Sequence, residues 1–261
     1  MLKQRVITAV IALAALAVVL FVLPSLYAEL VIAAVVLAGA WEWSAFLKSH
    51  SLMMRVLYLI FVALLMAVAG MQWPDHAGIV LQVAAGWWML AFLWTFFFPT
   101  PVPEVVRWLG GALVLVPLHA ALVMLYQASP SLLLFALLIV WAADIGAYFF
   151  GKRFGRVKLA PSISPGKTWE GVIGGLLLVV LLSIGRGLWF ESNLAVLVPF
   201  CMAVAAISII GDLTVSMFKR TAGLKDSGSL FPGHGGVLDR IDSIAAAAPL
   251  FALGLGWSGI N

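Results

Sequence analysis

The chain is poor in charge and nearly devoid of cysteine. Only 10% of its 261 residues are Asp, Glu, Lys or Arg, against 64% hydrophobic residues. That ratio excludes a soluble domain with its own aqueous surface and leaves a polytopic membrane protein folded as one compact domain. The one cysteine, Cys201, falls in an apolar run, so there is no disulfide framework or CxxC metal pair, and it reads as a small core residue. Heptads, tandem repeats and low-complexity linkers are also missing. In so oily a chain, every retained charge needs a reason.

Apolar runs of spanning length lie near 6–23, 27–47, 54–71, 79–98, 106–126, 131–150, 171–190, 194–217 and 241–258, which predicts about nine transmembrane helices. Lys3 and Arg5 followed by an apolar run imitate a secretory signal. However, the run from Val6 to Leu23 is long enough to span, and the S-L-Y-A stretch after it lacks an A-x-A-like site, so it reads as a retained first helix. A cytoplasmic amino terminus puts Lys3, Arg5, Lys48, Arg55, Arg107 and the basic 151–170 and 218–240 loops on one side, with Arg186 as the exception. The positive-inside rule therefore favours an odd helix count, and a multi-pass protein of the cell (inner or plasma) membrane is expected. The expected fold is all-α, a single membrane domain over 1–261, with amino-terminal helices to about 130 and the catalytic helices and cytoplasmic loops from about 131.

Two polar blocks break the apolar pattern. The first reads WAADIGAYFFGKRFGRVKLAPSISPGKTWEG from Trp141 to Gly171. Asp144 sits inside its helix, roughly 9 Å from the predicted cytoplasmic end at 1.5 Å rise per residue. An unpaired carboxylate there costs on the order of 2.5–3.5 kcal/mol, so it should face a polar cavity or a partner, a buried salt bridge to a lysine being the bland alternative. The following loop carries Lys152, Arg153, Arg156, Lys158 and Lys167. Its charge suits either a topogenic loop beside anionic head groups or phosphate binding, the latter favoured by hydroxyls, a glycine and Lys167 just before a helix start. The Gly-Lys-Thr there is not a Walker A motif: position 161 is proline where a P-loop needs glycine, and no strand is expected before it.

The second block reads SMFKRTAGLKDSGSLFPGHGGVLDRID from Ser216 to Asp242. Asp212, expected at the end of the eighth helix, shares a helical face with Ser216 and Lys219 at i, i+4 and i+7. Arg220, Lys225 and Asp226 follow, then glycines that let backbone amides approach a ligand. Asp239 and Asp242, at i and i+3 around Arg240, point in similar directions at the start of the ninth helix. His234, between glycines, suits phosphate binding better than proton transfer, because a phosphate monoester is already largely ionised near neutral pH. Carboxylates without a Cys or His cluster select a hard cation, Mg²⁺. Aspartates and cations at one membrane face suit an enzyme transferring a phosphoryl or nucleotidyl group from a cytosolic polyphosphate, whereas a transporter would spread polar groups along its depth.

The string S-M-F-K-R, four residues, K-D-S-G, then L-F-P-G-H-G-G-V-L-D-R-I-D resembles the signature of the phosphatidate cytidylyltransferase, or CDP-diacylglycerol synthase, family. The first block, with W-x-x-D-x-x-A-Y, G-K-R-F-G and S-P-G-K-T-W-E-G, is similar to that family's other polar segment, as is A-W-E-W near position 42. The resemblance implies a Mg²⁺-dependent membrane enzyme joining CTP to phosphatidate among membrane lipids, with the site facing the cytoplasm, a second cation left open, a homodimer and no nucleic-acid partner. It puts the metal on Asp212, Asp239 and Asp242, with Asp144 as a further acid. Lys219, counted with those three aspartates as catalytic, would hold phosphates together with Arg220, Lys225 and Arg240, and Lys167 would approach the lipid phosphate or the triphosphate tail. Ser216, Asp226 and His234 complete the substrate-binding set. The alternatives are a CTP-dependent lipid kinase of the polyprenol type, which would transfer the γ-phosphoryl group, and a membrane transporter.

Overall fold

The computed structural model describes residues 2–48, 51–71, 77–228 and 235–258. Among the described residues, nine α-helices follow the apolar runs: α1 (Leu2–Phe21), α2 (Ser25–Trp43), α3 (Leu52–Met71), α4 (Ala77–Thr95), α5 (Glu104–Ala128), α6 (Pro130–Phe154), α7 (Trp169–Trp189), α8 (Leu194–Thr221) and α9 (Leu238–Ser258). Among the described residues, seven of these, α2 to α8, are long and apolar enough to cross a membrane. The all-α polytopic fold is therefore observed. In α1 the apolar stretch is Val10–Phe21, and α9 opens with Asp239, Arg240 and Asp242.

Helix ends are set by local chemistry. Proline begins α6 just after Ser129, where its missing N–H costs nothing. Asn193 caps α8 by accepting from the Ala195 amide at 3.0 Å, and Thr168 caps α7 by accepting from Gly171 at 3.2 Å.

The basic loop differs from expectation. It folds as an antiparallel hairpin, β1 (Lys158–Ala160) with β2 (Ser164–Thr168), pairing Lys158 with Thr168 and Ala160 with Ser164. A strand does precede Lys167, contrary to the sequence expectation, because the turn at Pro161 and Ser162 brings β1 back on β2 before α7 starts. The Pro161 departure from a P-loop stands.

The core centres on α9, which packs against α2, α4, α5, α6 and α8, and whose Ala245 to Ala248, Phe251 and Ala252 are almost fully buried. Small alanines let five neighbours approach one helix. Large apolar side chains such as Leu26, Leu64 and Leu181 remain on the outside, as a lipid-facing surface requires.

One end of the bundle is stitched by polar groups. Arg107 of α5 donates to the carbonyls of Phe46 at 2.6 Å, Thr221 at 3.2 Å and Val102 at 3.3 Å, tying the ends of α2, α5 and α8 together. Beside it Trp43 packs on Phe46 and Phe218, with ring centroids 5.2 and 4.9 Å apart, and donates its indole N–H to the Arg107 carbonyl at 2.9 Å. Arg107 thus works as a strut between helix ends.

Candidate active site

The same end gathers the charged residues of both polar blocks. α8 continues to Thr221, so Asp212 lies roughly two and a half turns before the helix end rather than at it. The shared face expected for Asp212, Ser216 and Lys219 is present. Ser216 Oγ donates to Asp212 Oδ1 at 3.1 Å, and Lys219 Nζ donates to Asp239 Oδ1 of α9 at 2.7 Å. The same ammonium is 4.0 Å from Asp242 Oδ2. Lys219 is nearly buried, a position for a cation that needs carboxylate neighbours.

The two helices can bring these groups together because Gly211 removes a side chain where they touch. A Cβ at Gly211 would run into the backbone carbonyl of Asp242 and the Ala246 methyl. Asp212, immediately after this glycine, and Asp242, immediately opposite, are consequently neighbours.

The hairpin completes the group from the other side. Lys167 of β2 bridges to Asp212 Oδ2 at 2.5 Å, and Arg220 Nε donates to the carbonyl of Ile163 in the hairpin turn at 3.2 Å. Arg220 also donates to Leu224 at 3.3 Å. Asp144 lies within electrostatic reach of Asp212, Lys167 and Arg240. It sits deeper in its helix than expected, since α6 runs a turn past 150 to Phe154, and it is exposed.

Lys225, Asp226 and Arg240 are exposed at the rim. His234 lies outside the described residues. The structure thus brings Lys167, Asp144, Asp212, Ser216, Lys219, Arg220, Asp239, Arg240 and Asp242 to one end of the bundle.

Asp239 is held by more than Lys219. Its Oδ2 accepts from the amides of Gly236 at 2.9 Å and Ser227 at 3.1 Å. Asp242 Oδ1 accepts from the Ser243 amide at 2.8 Å. Among the described residues no three His, Cys, Asp or Glu side chains already converge as a metal cage. The donor set nonetheless fits a hard cation: Asp212, Asp239 and Asp242 offer only carboxylate oxygens, and ammonium groups already sit against the first two.

One buried acid at this end has no expected role. Glu42, in the last turn of α2, is 7% exposed and bonds to Ser227, Val237 and Leu238. Its only signal in the sequence is an acid inside the A-W-E-W stretch, with nothing local to show what it meets.

The Cytidylyltransferase family matches residues 3–256. The chain is 46% identical over 261 residues to a protein of Pseudomonas aeruginosa named phosphatidate cytidylyltransferase, covering 97% of this chain and 96% of that one. A protein of the same name from Haemophilus influenzae is 38% identical over 281 residues, covering 97% of this chain and 98% of the other. A third, from Brucella suis, is 48% identical over 128 residues, covering 46% of this chain and 45% of the relative. With almost its whole length matched, and with both polar blocks folded against each other, this chain belongs to the cytidylyltransferase family.

Proposed function

We propose that the protein joins CTP to phosphatidate, giving CDP-diacylglycerol and pyrophosphate, at the bundle end where α8, α9 and the β hairpin meet. The observation that carries this reading is the clustering of Lys167, Asp212, Lys219, Asp239 and Asp242 through two ion-paired contacts, 2.5 and 2.7 Å long. Two relatives matched over nearly their full length are named for the same reaction. The excess of lysine and arginine at this end supports a site facing the cytoplasm, in the cell membrane.

In this reaction an oxygen of the lipid phosphate attacks the α-phosphorus of CTP. The bond from that phosphorus to the bridging oxygen breaks, and pyrophosphate leaves. A phosphate monoester is ionised enough near neutral pH to attack without a strong base, so the protein's task is positioning and charge neutralisation. Lys167, Lys219, Arg220 and Arg240 supply positive charge, and the exposed Lys225 extends it toward solvent. Ser216 fixes the Asp212 carboxylate. Asp212, Asp239 and Asp242, with Asp144 beside them, would hold Mg²⁺, which when bound neutralises charge on the triphosphate. A substrate phosphate competes with the carboxylates for Lys167 and Lys219, and those two ammonium groups are the ones we assign to it.

The test is product analysis on purified protein with phosphatidate and Mg²⁺. CTP labelled at the α-phosphate is expected to label the lipid, and CTP labelled at the γ-phosphate to release its label as pyrophosphate. Label passing from the γ position to the lipid would instead identify a lipid kinase. Chelation of Mg²⁺ is expected to stop turnover, and its return to restore it.

A further inference from the structure

Glu42 stands where an acid is poorly served by its own helix. It lies in the last turn of α2, where the helix dipole disfavours negative charge, and it is buried. Its carboxylate is satisfied from α9 and the segment before it. Oε1 accepts from the Val237 amide at 3.0 Å, and Oε2 accepts from the Leu238 amide at 2.8 Å and from Ser227 Oγ at 3.0 Å. Two of these donors are backbone amides at the start of α9, where a helix favours an anion.

The chain is shaped around this carboxylate. A Cβ at Gly228 or at Gly236 would collide with it, so both glycines are needed for the acid to enter. The same segments also hold Asp239. Ser227 gives its hydroxyl to Glu42 and its amide to Asp239, while Gly236 donates to Asp239 and the next two amides donate to Glu42. Asp239 in turn bonds Lys219. Glu42 and Asp239 therefore divide between them the donors of Ser227 and of residues 236–238.

We infer that Glu42 is a positioning residue for the transfer reaction, a buried carboxylate that clamps Ser227 and the first turn of α9 so that Asp239, Asp242 and Lys219 keep their mutual geometry. This rests on the assignment of those three residues to the reacting centre. Glutamine cannot replace it. Whichever way its amide is turned, an NH₂ group faces either the Val237 or the Leu238 amide, leaving a buried donor without an acceptor.

The test compares Glu42→Gln with the unaltered full-length protein in detergent, reading melting temperature, steady-state kinetics and amide hydrogen exchange. Glu42→Gln is expected to raise the KM for CTP at least about fivefold, lower kcat at least about tenfold, and speed exchange of the Val237 and Leu238 amides. Ser227→Ala, which removes only the hydroxyl contact, is expected to do the same to a smaller extent, and Glu42→Asp to recover part of the loss. A lower melting temperature with KM for CTP unchanged would mean that Glu42 only supports the fold, and would overturn the inference. Wild-type kinetics with unchanged exchange would overturn it too. Should Glu42→Gln fail to fold, Ser227→Ala with Glu42→Asp decides the matter by the same readouts. Asp239→Asn is run alongside: if it retains full turnover, the site assignment fails, whereas its loss beside an unaffected Glu42→Gln defeats only the clamp.

Discussion

At one end of the bundle Lys167 meets Asp212, Lys219 meets Asp239, and Glu42 is buried among backbone amides. At the other, Gln127 donates to Glu29 at 2.9 Å on the exposed surface, and the Arg186 guanidinium lies over the rings of Phe135 and Phe190 at 4.5 and 4.8 Å. Both ends close the same helices, α2 against α5, yet among the described residues only one collects carboxylates and ammonium groups below the surface. Holding helices together does not require that collection. Buried ion pairs are weak contributors to stability compared with apolar packing, and the far end manages with a surface hydrogen bond and aromatic contacts. The charged end suits the binding role proposed for it.

Breaking the charged end should therefore cost activity out of proportion to stability. The largest effect is expected for Asp239→Asn, which weakens the Lys219 pair and alters the acceptor shared by Gly236 and Ser227: CDP-diacylglycerol formation should fall about a thousandfold or more, while circular dichroism still reports a helical protein. Gly211→Val comes next. Its added side chain meets the Asp242 carbonyl, so α9 must move away from α8, and turnover should drop on the order of a hundredfold with a melting temperature several degrees lower. Lys167→Met leaves Asp212 without its hairpin partner and should raise the KM for CTP or phosphatidate about tenfold, seen in saturation curves for each substrate. The smallest change belongs to the far end. Glu29→Gln removes a half-buried charge whose described hydrogen bond, to Gln127, lies at the surface, and both turnover and melting temperature should stay within about twofold and a degree or two of the parent. A large loss of activity in Glu29→Gln would erase the contrast between the two ends.

Arg107 sharpens the comparison from within the charged end. Among the described residues the three bonds of its guanidinium go to backbone carbonyls, so Arg107→Ala is expected to act on stability, lowering it by about 1.5–3 kcal/mol in a reversible unfolding assay, with KM values kept. Proximity to the carboxylates alone does not make a residue part of the chemistry.

Much of this arrangement is legible in the sequence, and the illegible part has a physical cause. The apolar runs announce the helices because hydrocarbon solvent demands length and composition. The i, i+4, i+7 spacing of Asp212, Ser216 and Lys219 announces a common face because helical periodicity is local. The partners across helices are not local. Nothing in the spacing of Lys219 says that Asp239 is its nearest acceptor, and nothing near Glu42 points to Ser227, 185 residues away. The hairpin at 158–168 also escaped, since a three-residue strand carries too little periodicity to compete with two prolines and a cluster of charge.

The most direct measurement is turnover by purified Asp212→Asn at saturating CTP, phosphatidate and Mg²⁺, beside a melting curve of the same sample. With the negative charge gone and one of the two oxygens replaced by an NH₂ donor, Lys167 and Ser216 no longer share a carboxylate, and CDP-diacylglycerol formation is expected to fall about as far as in Asp239→Asn in a protein that melts within a few degrees of the parent. Near-normal turnover in that folded variant would contradict the assignment of the α8–α9 end as the reacting centre.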